Sequence, residues 1–211
     1  MSSPLIIGHR GFAARFADNS LAGVNAAIAV GADGVEVDVR PCADGTWVCH
    51  HDRSRGGRPL REWGLVALRR EGVPPLAEVV EAVPAGRFLY VEIKPLAERD
   101  LGEGLPALAA LLGPRGSEAR VISSSVQVLA AVGRALPGLV RSLVFDEIPD
   151  PLPVHAELSP FHRLVEKLLA TGRPLHPWTV NGPERMRALA RCEVASITTN
   201  RPDVALEVLR G

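Results

Sequence analysis

The sequence has few aromatic residues and few cysteines, and both shortages narrow the possible functions. Aromatic residues make up 4% of the 211 residues, which does not point to an apolar groove for a lipid tail. The three cysteines, Cys42, Cys49 and Cys192, lack metal-type spacing, and their odd number argues against a disulfide framework. We therefore expect reduced thiols in a cytoplasmic protein.

The chain also lacks a net charge and long apolar runs. The 24 basic and 24 acidic residues cancel, so we expect neither a nucleic-acid partner nor an anionic membrane surface. No apolar run approaches membrane-spanning length, and the N-terminus lacks a signal-peptide pattern. A glycine-rich phosphate loop and a Ser–His–Asp context are absent as well. The composition is typical of one globular domain over residues 1–211.

Short apolar runs alternate with helical segments along the chain. Strand patterns occupy 4–9, 34–39, 87–94, 119–125, 138–145, 152–158, 174–180 and 194–199. Helical patterns include 99–112, 126–136, 159–172 (ending at Gly172) and the C-terminal 202–211. Eight such units predict an α/β fold, a (β/α)₈ TIM barrel that is lean and has little or no helix after strand 5. A doubly wound open sheet is the structural alternative.

Two acids interrupt the strand Val35–Val39. Alternation places Glu36 and Asp38 on one face and the valines on the other. In a barrel the acids would point inward near the carboxyl end of the strand, where such folds keep their active sites. Paired buried carboxylates repel each other unless a cation neutralises them, and a hard divalent ion with oxygen ligands does so. An outward-facing amphipathic strand is the alternative.

A second charged strand, YVEIK, repeats this pattern. Glu92 and Lys94 share a face, so Glu92 would add a third carboxylate at the same barrel end. Lys94 stands out because the chain has only one other lysine, Lys167. We predict that Glu92 binds the metal and that Lys94 binds an anionic group of the substrate. A buried Glu92–Lys94 ion pair with a purely structural role is the alternative.

Two histidines end strands on this side of the predicted barrel. His9 closes the first strand, and His51 closes a hairpin strand after Asp38. Histidine exchanges protons near neutral pH, so the pair could act as acid and base on one bond. Arg10, next to His9, has a guanidinium fork suited to phosphate. The other histidines are expected to be structural, solvent-exposed or turned away, although His155 could line the barrel: His50, His155, His162 and His176.

Seven motifs in order resemble the glycerophosphodiester phosphodiesterase family. They are HRG at 9–11, DNS at 18–20, VEVDV at 35–39, HD at 51–52, VEIK at 91–94, WTVN at 178–181 and ITTNRPD at 197–203. Each motif is weak alone, but together they span nearly the whole chain. The resemblance implies a TIM barrel that hydrolyses glycerophosphodiesters to an alcohol and glycerol 3-phosphate with a divalent cation, Ca²⁺ or Mg²⁺.

The resemblance also implies a role for each matching residue. His9 and His51 would be the acid–base pair, and Glu36, Asp38 and Glu92 would hold the metal. Arg10 and Lys94 would meet the phosphate, and Trp178 would lie at the substrate mouth. The sequence leaves open which histidine is the acid, and whether water or the glycerol's own hydroxyl attacks the phosphorus.

The chain departs from the family pattern at several positions. Asp18 replaces a glutamate one methylene longer, and Asn200 stands where aspartate is common. Ser124 replaces a usual phenylalanine, and the segment 53–75 is short and arginine-rich. Rival functions are another metal-dependent barrel enzyme such as an aldolase acting on a phosphorylated sugar, a lysophospholipase D-like hydrolase, and an inactive barrel that binds ligands.

Overall fold

A ring of parallel strands forms the centre of the molecule. The computed structural model describes residues 3–154 and 156–211. The strands are β1 Leu5–His9, β2 Gly34–Pro41, β3 Trp47–Cys49, β4 Ser54–Arg55, β5 Arg58–Pro59, β6 Phe88–Ile93, β7 Ala119–Ser123, β8 Val140–Phe145, β9 Glu157–Pro160 and β10 Ser196–Thr199. The main sheet runs β10-β1-β2-β6-β7-β8-β9, with β3 antiparallel to β2. All other neighbours in this sheet are parallel.

Residues 175–180 close the ring between β9 and β10. His176 N donates to Leu158 O at 2.8 Å on one side, and Thr198 N donates to Pro177 O at 3.0 Å on the other. The segment makes bridges rather than a regular strand. Pro174 and Pro177 have no N–H to give, so the ladder is interrupted there. With this segment the ring has eight strands, which confirms the (β/α)₈ barrel and excludes the open sheet.

Helices cover the outside of the ring. They are α1 Leu21–Ala29, α2 Leu65–Arg70, α3 Leu76–Ala82, α4 Glu98–Leu112, α5 Val126–Ala135, α6 Val165–Leu168, α7 Pro183–Arg191 and α8 Pro202–Arg210. Within the described residues, no helix lies between Phe145 and Glu157, as the sequence predicts. None of the helices in the described ranges has the length and apolar composition needed to span a bilayer.

The region 152–172 differs from the predicted strand and helix. The strand β9 begins later than predicted and includes Ser159 and Pro160, because pairing with β8 outweighs the local helical pattern. Only one short α-helix and two 3₁₀ turns remain of the helix predicted for 159–172: α6, His162–Leu164 and Leu169–Thr171. Gly172 ends the segment in the left-handed region, with φ 64°. His155 lies outside the described residues.

Burial follows the predicted alternation along β2. Val35, Val37 and Val39 are fully buried in the main core between the sheet and the helices. Glu36 and Asp38 are also buried, at 2% and 0% exposure, on the barrel side of the same strand. An outward-facing amphipathic strand is therefore excluded.

The segment 53–75 forms a small lobe beside β2 and β3. It contains the β4–β5 hairpin and α2. Leu60, Leu68 and Val73 of the lobe pack with Cys42 and Val48 of the β2–β3 hairpin in an apolar cluster separate from the main core. Asp44 in the β2–β3 turn accepts a hydrogen bond from Leu65 N at 3.3 Å and so ties this lobe to the hairpin. The lobe lies next to the carboxyl end of β2, where the charged side chains converge.

Candidate active site

Strand register brings the charged residues of three strands to one end of the barrel. His9 of β1 is opposite Glu36 of β2. Asp38, two residues further along β2, is opposite Glu92 of β6. Because parallel strands end at the same edge, side chains from distant parts of the sequence meet there. His9, Glu36 and Glu92 line a small cavity together with Arg10, His51, Lys94 and Trp178. Asp38 is fully buried beside it.

Three carboxylates form the centre of this site. One oxygen from each of Glu36, Asp38 and Glu92 lies within 4.8 Å of the other two. Burial, followed by repulsion from Asp38 and Glu92, raises the pKa of Glu36 well above its usual value. Burial likewise raises the pKa of Glu92. Buried carboxylates at this spacing need a cation to remain ionised together.

The donor atoms fit a hard divalent cation. Glu36 Oε1 is buried and has no hydrogen-bond partner, while Oε2 accepts from Arg10 N at 3.1 Å. An oxygen left unpaired in the interior costs free energy that a bound cation would recover. All three candidate ligands are oxygens, which Ca²⁺ and Mg²⁺ prefer. The residues present therefore suit such an ion.

Asp38 is the most firmly held of the three acids. Lys94 Nζ lies 2.7 Å from its Oδ1, and Arg10 Nε lies 3.1 Å from its Oδ2. Asn19 makes two hydrogen bonds with Asp38. Its Nδ2 donates to Asp38 Oδ2 at 2.9 Å, and its Oδ1 accepts from Asp38 N at 2.9 Å. Burial would raise the pKa of Asp38, but Lys94 and Arg10 outweigh it and lower the pKa.

Lys94 bridges two of the candidate metal ligands. Its Nζ lies 2.6 Å from Glu92 Oε1 in addition to its contact with Asp38. Burial opposes the charge, but Glu92 and Asp38 raise the pKa of Lys94 above its usual value. The Glu92–Lys94 ion pair considered from the sequence is thus present. Lys94 also lines the cavity, so the pair does not remove the lysine from the site.

The backbone of the HRG turn directs the Arg10 side chain toward Asp38 and Asp18. Arg10 has φ 51°, an uncommon conformation for a residue with a side chain. Gly11 follows with φ 84°, and a Cβ there would come within 2.6 Å of the Gly23 backbone in α1. Two ion pairs hold the guanidinium, with Asp38 and with Asp18 Oδ2 at 2.6 Å. The shorter Asp18 therefore still reaches the arginine.

His9 is oriented by a neutral partner. Its Nδ1 hydrogen-bonds Asn200 Oδ1 at 2.6 Å, and its Nε2 lies 3.9 Å from Glu36 Oε2. If Nδ1 carries the proton and donates to the amide oxygen, Nε2 presents a lone pair toward the carboxylate cluster. Burial lowers the pKa of His9, and the Asn200 bond opposes this only in part.

His51 lies at the rim of the same cavity. Its Nδ1 hydrogen-bonds Asp52 Oδ1 at 2.8 Å, and its side chain is 43% exposed. Its carbonyl oxygen accepts from Arg40 Nε at 2.9 Å, which fixes the backbone at this turn. His50 takes the opposite side, where its Nδ1 accepts from Asp52 N at 3.1 Å. Of the two neighbouring histidines, only His51 lines the cavity.

Trp178 forms an aromatic wall of the cavity. Its Nε1 donates to Ser159 O at 2.8 Å, which anchors the indole to β9. Phe161 packs edge-to-face against it with ring centroids 5.7 Å apart. These two contacts hold the indole in place at the wall of the cavity.

The barrel interior below the site is polar. His176 is buried at 2% exposure, and its Nδ1 hydrogen-bonds Ser196 Oγ at 2.7 Å. Arg120 pairs with Glu157 and stacks on the Tyr90 ring, 4.9 Å from the centroid. Burial lowers the pKa of His176 well below its usual value, with Arg120 adding to the effect. The expectation of a structural role suits this histidine.

Sequence reasoning missed two side chains that position the reactive groups. Asn19 belongs to the DNS motif, but the sequence does not predict its hydrogen bonds with Asp38, whereas the next residue, Ser20, caps α1. Asn200 was noted only as a departure from the family, yet it contacts His9. The signal that could have found them is their position, since both residues lie in loops that follow the carboxyl ends of β1 and β10.

The fold and the site together define a class of barrel enzyme. Acids, cations and histidines meet at the carboxyl face of a (β/α)₈ barrel, the usual place for catalysis in this architecture. Comparison with known proteins then gives the family. The model of the glycerophosphoryl diester phosphodiesterase family matches residues 9–101 and 119–204, so the chain belongs to this family of phosphoric diester hydrolases.

The sequences of individual relatives align with this chain over nearly its full length. The chain is 29% identical to a glycerophosphodiester phosphodiesterase of Caldanaerobacter subterraneus, covering 98% of each sequence. It is 48% identical to a probable glycerophosphodiester phosphodiesterase 1 of Mycobacterium tuberculosis, covering 94% of this chain and 90% of the relative.

Among solved structures, a phosphodiesterase of Oleispira antarctica in complex with the product sn-glycerol-3-phosphate superposes with a TM-score of 0.87. Its identity is 20%, and the match covers 99% of this chain and 98% of that one. At this identity, the likeness supports the fold.

Proposed function

We propose that this protein hydrolyses glycerophosphodiesters to an alcohol and glycerol 3-phosphate, with a divalent cation and two histidines as acid and base. The observation that carries the proposal is a cluster of three carboxylates, two of them lining a cavity that two cations and two histidines also line, in a family member. The complex of the Oleispira antarctica phosphodiesterase with sn-glycerol-3-phosphate supports the same product here.

Charge balance supports both the metal and the substrate. Glu36, Asp38 and Glu92 would be ionised around a divalent ion, and Arg10 and Lys94 contribute two positive charges. With the ion bound, these groups carry one net positive charge, and the half-exposed Asp18 that pairs with Arg10 offsets it from the solvent side. The inner part of the site therefore suits the single negative charge of a phosphodiester. The ion would supply electrostatic stabilisation of the phosphoryl oxygens as charge develops.

We assign the base to His9 and the acid to His51. Burial keeps His9 neutral near pH 7, and its contact with Asn200 leaves Nε2 free to accept a proton. His51 lies at the solvent-facing rim, where an alcohol can depart after protonation, and Asp52 orients its ring. The attacking oxygen is either water or the free glycerol hydroxyl next to the ester.

Arg10 and Lys94 are proposed to bind the phosphate. Both side chains line the cavity and are mostly shielded from solvent, at 21% and 12% exposure. A guanidinium and an ammonium in a partly buried site form stronger ion pairs than the same groups at the surface. Trp178 is proposed to pack against the carbon atoms of the substrate at the mouth.

A substrate panel tests the proposal. Purified protein is incubated with several glycerophosphodiesters and one lysophospholipid in Mg²⁺ or Ca²⁺, and glycerol 3-phosphate is assayed. We expect release from at least one glycerophosphodiester and loss of release with a chelator. No release from any of them with either ion would refute the proposal, and choline or ethanolamine release from the lysophospholipid alone would favour a lysophospholipase D.

A pair of neighbouring variants tests the acid. We expect His51→Ala to lower kcat by about 10²-fold or more, whereas the control His50→Ala, which loses only a hydrogen bond from Asp52 N, should stay within about fivefold of the wild-type rate. Near-wild-type turnover by His51→Ala would make the assignment wrong even if the substrate class is right.

A further inference from the structure

A second and larger cavity lies beside the candidate active site. Its volume is about 530 Å³, and it is bounded by the end of β2, the lobe 53–75 and the loop before α4. Pro41, Pro59, Leu60, Pro95 and Leu96 give it apolar walls. Its charged lining consists of Arg40, Arg53, Arg61 and Asp100. None of these side chains is assigned to the metal, the phosphate or proton transfer in the proposed hydrolysis, although Arg40 holds the backbone of His51.

Two of the three arginines have no counter-ion. Arg61 pairs with Asp100, which is 9% exposed, so these two charges cancel. Among the described residues, neither Arg40 nor Arg53 forms an ion pair with a carboxylate. Of the four charged side chains that line the cavity, three are arginines and one is an acid, so the lining carries an excess of positive charge.

The cavity adjoins the reactive groups along three parts of the chain. Arg40 lies on the same face of β2 as Glu36 and Asp38, two residues further toward the carboxyl end of the strand. The Arg40 Nε donates a hydrogen bond to His51 O at 2.9 Å. Pro95 on the far wall directly follows Lys94. A group attached to a phosphate between Lys94 and His51 can therefore reach this cavity.

We propose that this cavity binds an anionic head group, meaning a carboxylate or a second phosphate on the alcohol that leaves. The inference rests on the proposed hydrolysis and names the substrate class for it. The glycerol half of the substrate has only neutral hydroxyl groups, which cannot neutralise the two guanidinium groups of Arg40 and Arg53. A carboxylate or phosphate on the leaving alcohol can. The alcohol is the variable half of a glycerophosphodiester, so a charged pocket next to the proton donor suits that half.

The apolar walls favour a head group of some size. Leu60 is buried in the lobe core and Pro59 is exposed beside it, so the lobe presents a rigid edge to the cavity. A volume of about 530 Å³ exceeds what a methanol-sized alcohol fills. A compact head group with one anionic end satisfies both the charge and the space.

Two substrates that differ by one carboxylate test the inference. Glycerophosphoserine is glycerophosphoethanolamine with an added carboxylate on the head group. We expect the wild type to have a kcat/KM about tenfold higher for the serine compound, the scale of one partly exposed charge-assisted hydrogen bond.

Arg53→Gln should abolish that preference through KM, leaving kcat/KM for the ethanolamine compound within about twofold. Arg70→Gln is the matched control, since it removes an exposed positive charge from the same lobe outside the cavity. The control should keep the preference.

The outcomes separate this inference from the proposed function. If neither compound releases glycerol 3-phosphate, the proposed hydrolysis fails. If both are hydrolysed equally well, or if Arg53→Gln and Arg70→Gln behave alike, hydrolysis stands and the anionic head-group pocket is wrong.

Discussion

Replacing Glu36 by glutamine separates metal binding from folding. Glu36 has two carboxylate neighbours within 4.8 Å, and each such pair repels by about 3.5 kcal/mol at an effective dielectric of about 20. Burial and this repulsion raise the pKa of Glu36 well above its usual value, which favours the protonated form in the metal-free protein. Glutamine has nearly the same shape as that protonated acid, so the metal-free variant should unfold within about 1 kcal/mol of wild type.

The same change should remove the stabilisation that a divalent cation gives. A ligand present at about 100 times its Kd stabilises the folded state by about 2.7 kcal/mol. For a chain of this size, that corresponds to a rise in Tm of about 5–10 °C. We expect this rise for wild type and a rise below about 2 °C for Glu36→Gln, because one charged oxygen ligand is lost.

Thermal unfolding followed by circular dichroism measures both effects, with and without Mg²⁺ or Ca²⁺ after treatment with a chelator. Glu81→Gln is the matched control, since Glu81 is exposed on α3 and lies outside the carboxylate cluster. A full cation-induced rise in Glu36→Gln would refute the ligand assignment. A loss of several kcal/mol in the metal-free variant would refute the argument from the raised pKa.

Three further predictions concern other parts of the molecule. Hydrogen bonds led by Thr46 lower the pKa of Asp44 to about 2, so its contribution to stability is full above its usual pKa and is lost as pH falls toward 2. Asp44→Asn should therefore cost about 1 kcal/mol in denaturant unfolding at pH 6, after allowance for solvent screening, with a smaller cost at pH 3; an unchanged cost would contradict this. A thiol reagent should label one cysteine in the native protein, and Cys192→Ser should abolish that labelling because the other two cysteines are buried; persistent labelling would contradict this. Asn200→Leu should lower kcat by about tenfold or more with little change in KM, because His9 loses its orienting partner while the phosphate contacts remain; a change in KM alone would contradict the positioning role.

The barrel and the convergence of charged residues could be predicted because the signals are local. Alternation along β2 separates the valines from Glu36 and Asp38, and the burial of each set agrees with it. The absence of a helix after strand 5 could also be predicted, because the stretch between Phe145 and Leu152 is too short and too rich in proline to form one. Parallel pairing then forces residues such as Glu92 to the same end.

Features that depend on long-range pairing could not be predicted. Ser159 and Pro160 join β9 because β8 offers an open edge, although their sequence continues into a helical pattern. Residues 175–180 close the ring with hydrogen bonds to neighbours on both sides, although Pro177 lies within the segment. The contact of Asn200 with His9 joins the two ends of the chain, 191 positions apart, and leaves no periodic trace in the sequence.

The most direct test of the central claim is glycerol 3-phosphate release by chelated protein before and after a divalent cation is restored, for wild type and Asp38→Asn. We predict no release by the chelated wild type, recovery with Mg²⁺ or Ca²⁺, and little recovery in Asp38→Asn. Full release by the chelated wild type, or equal recovery in the two proteins, would contradict hydrolysis at the carboxylate cluster.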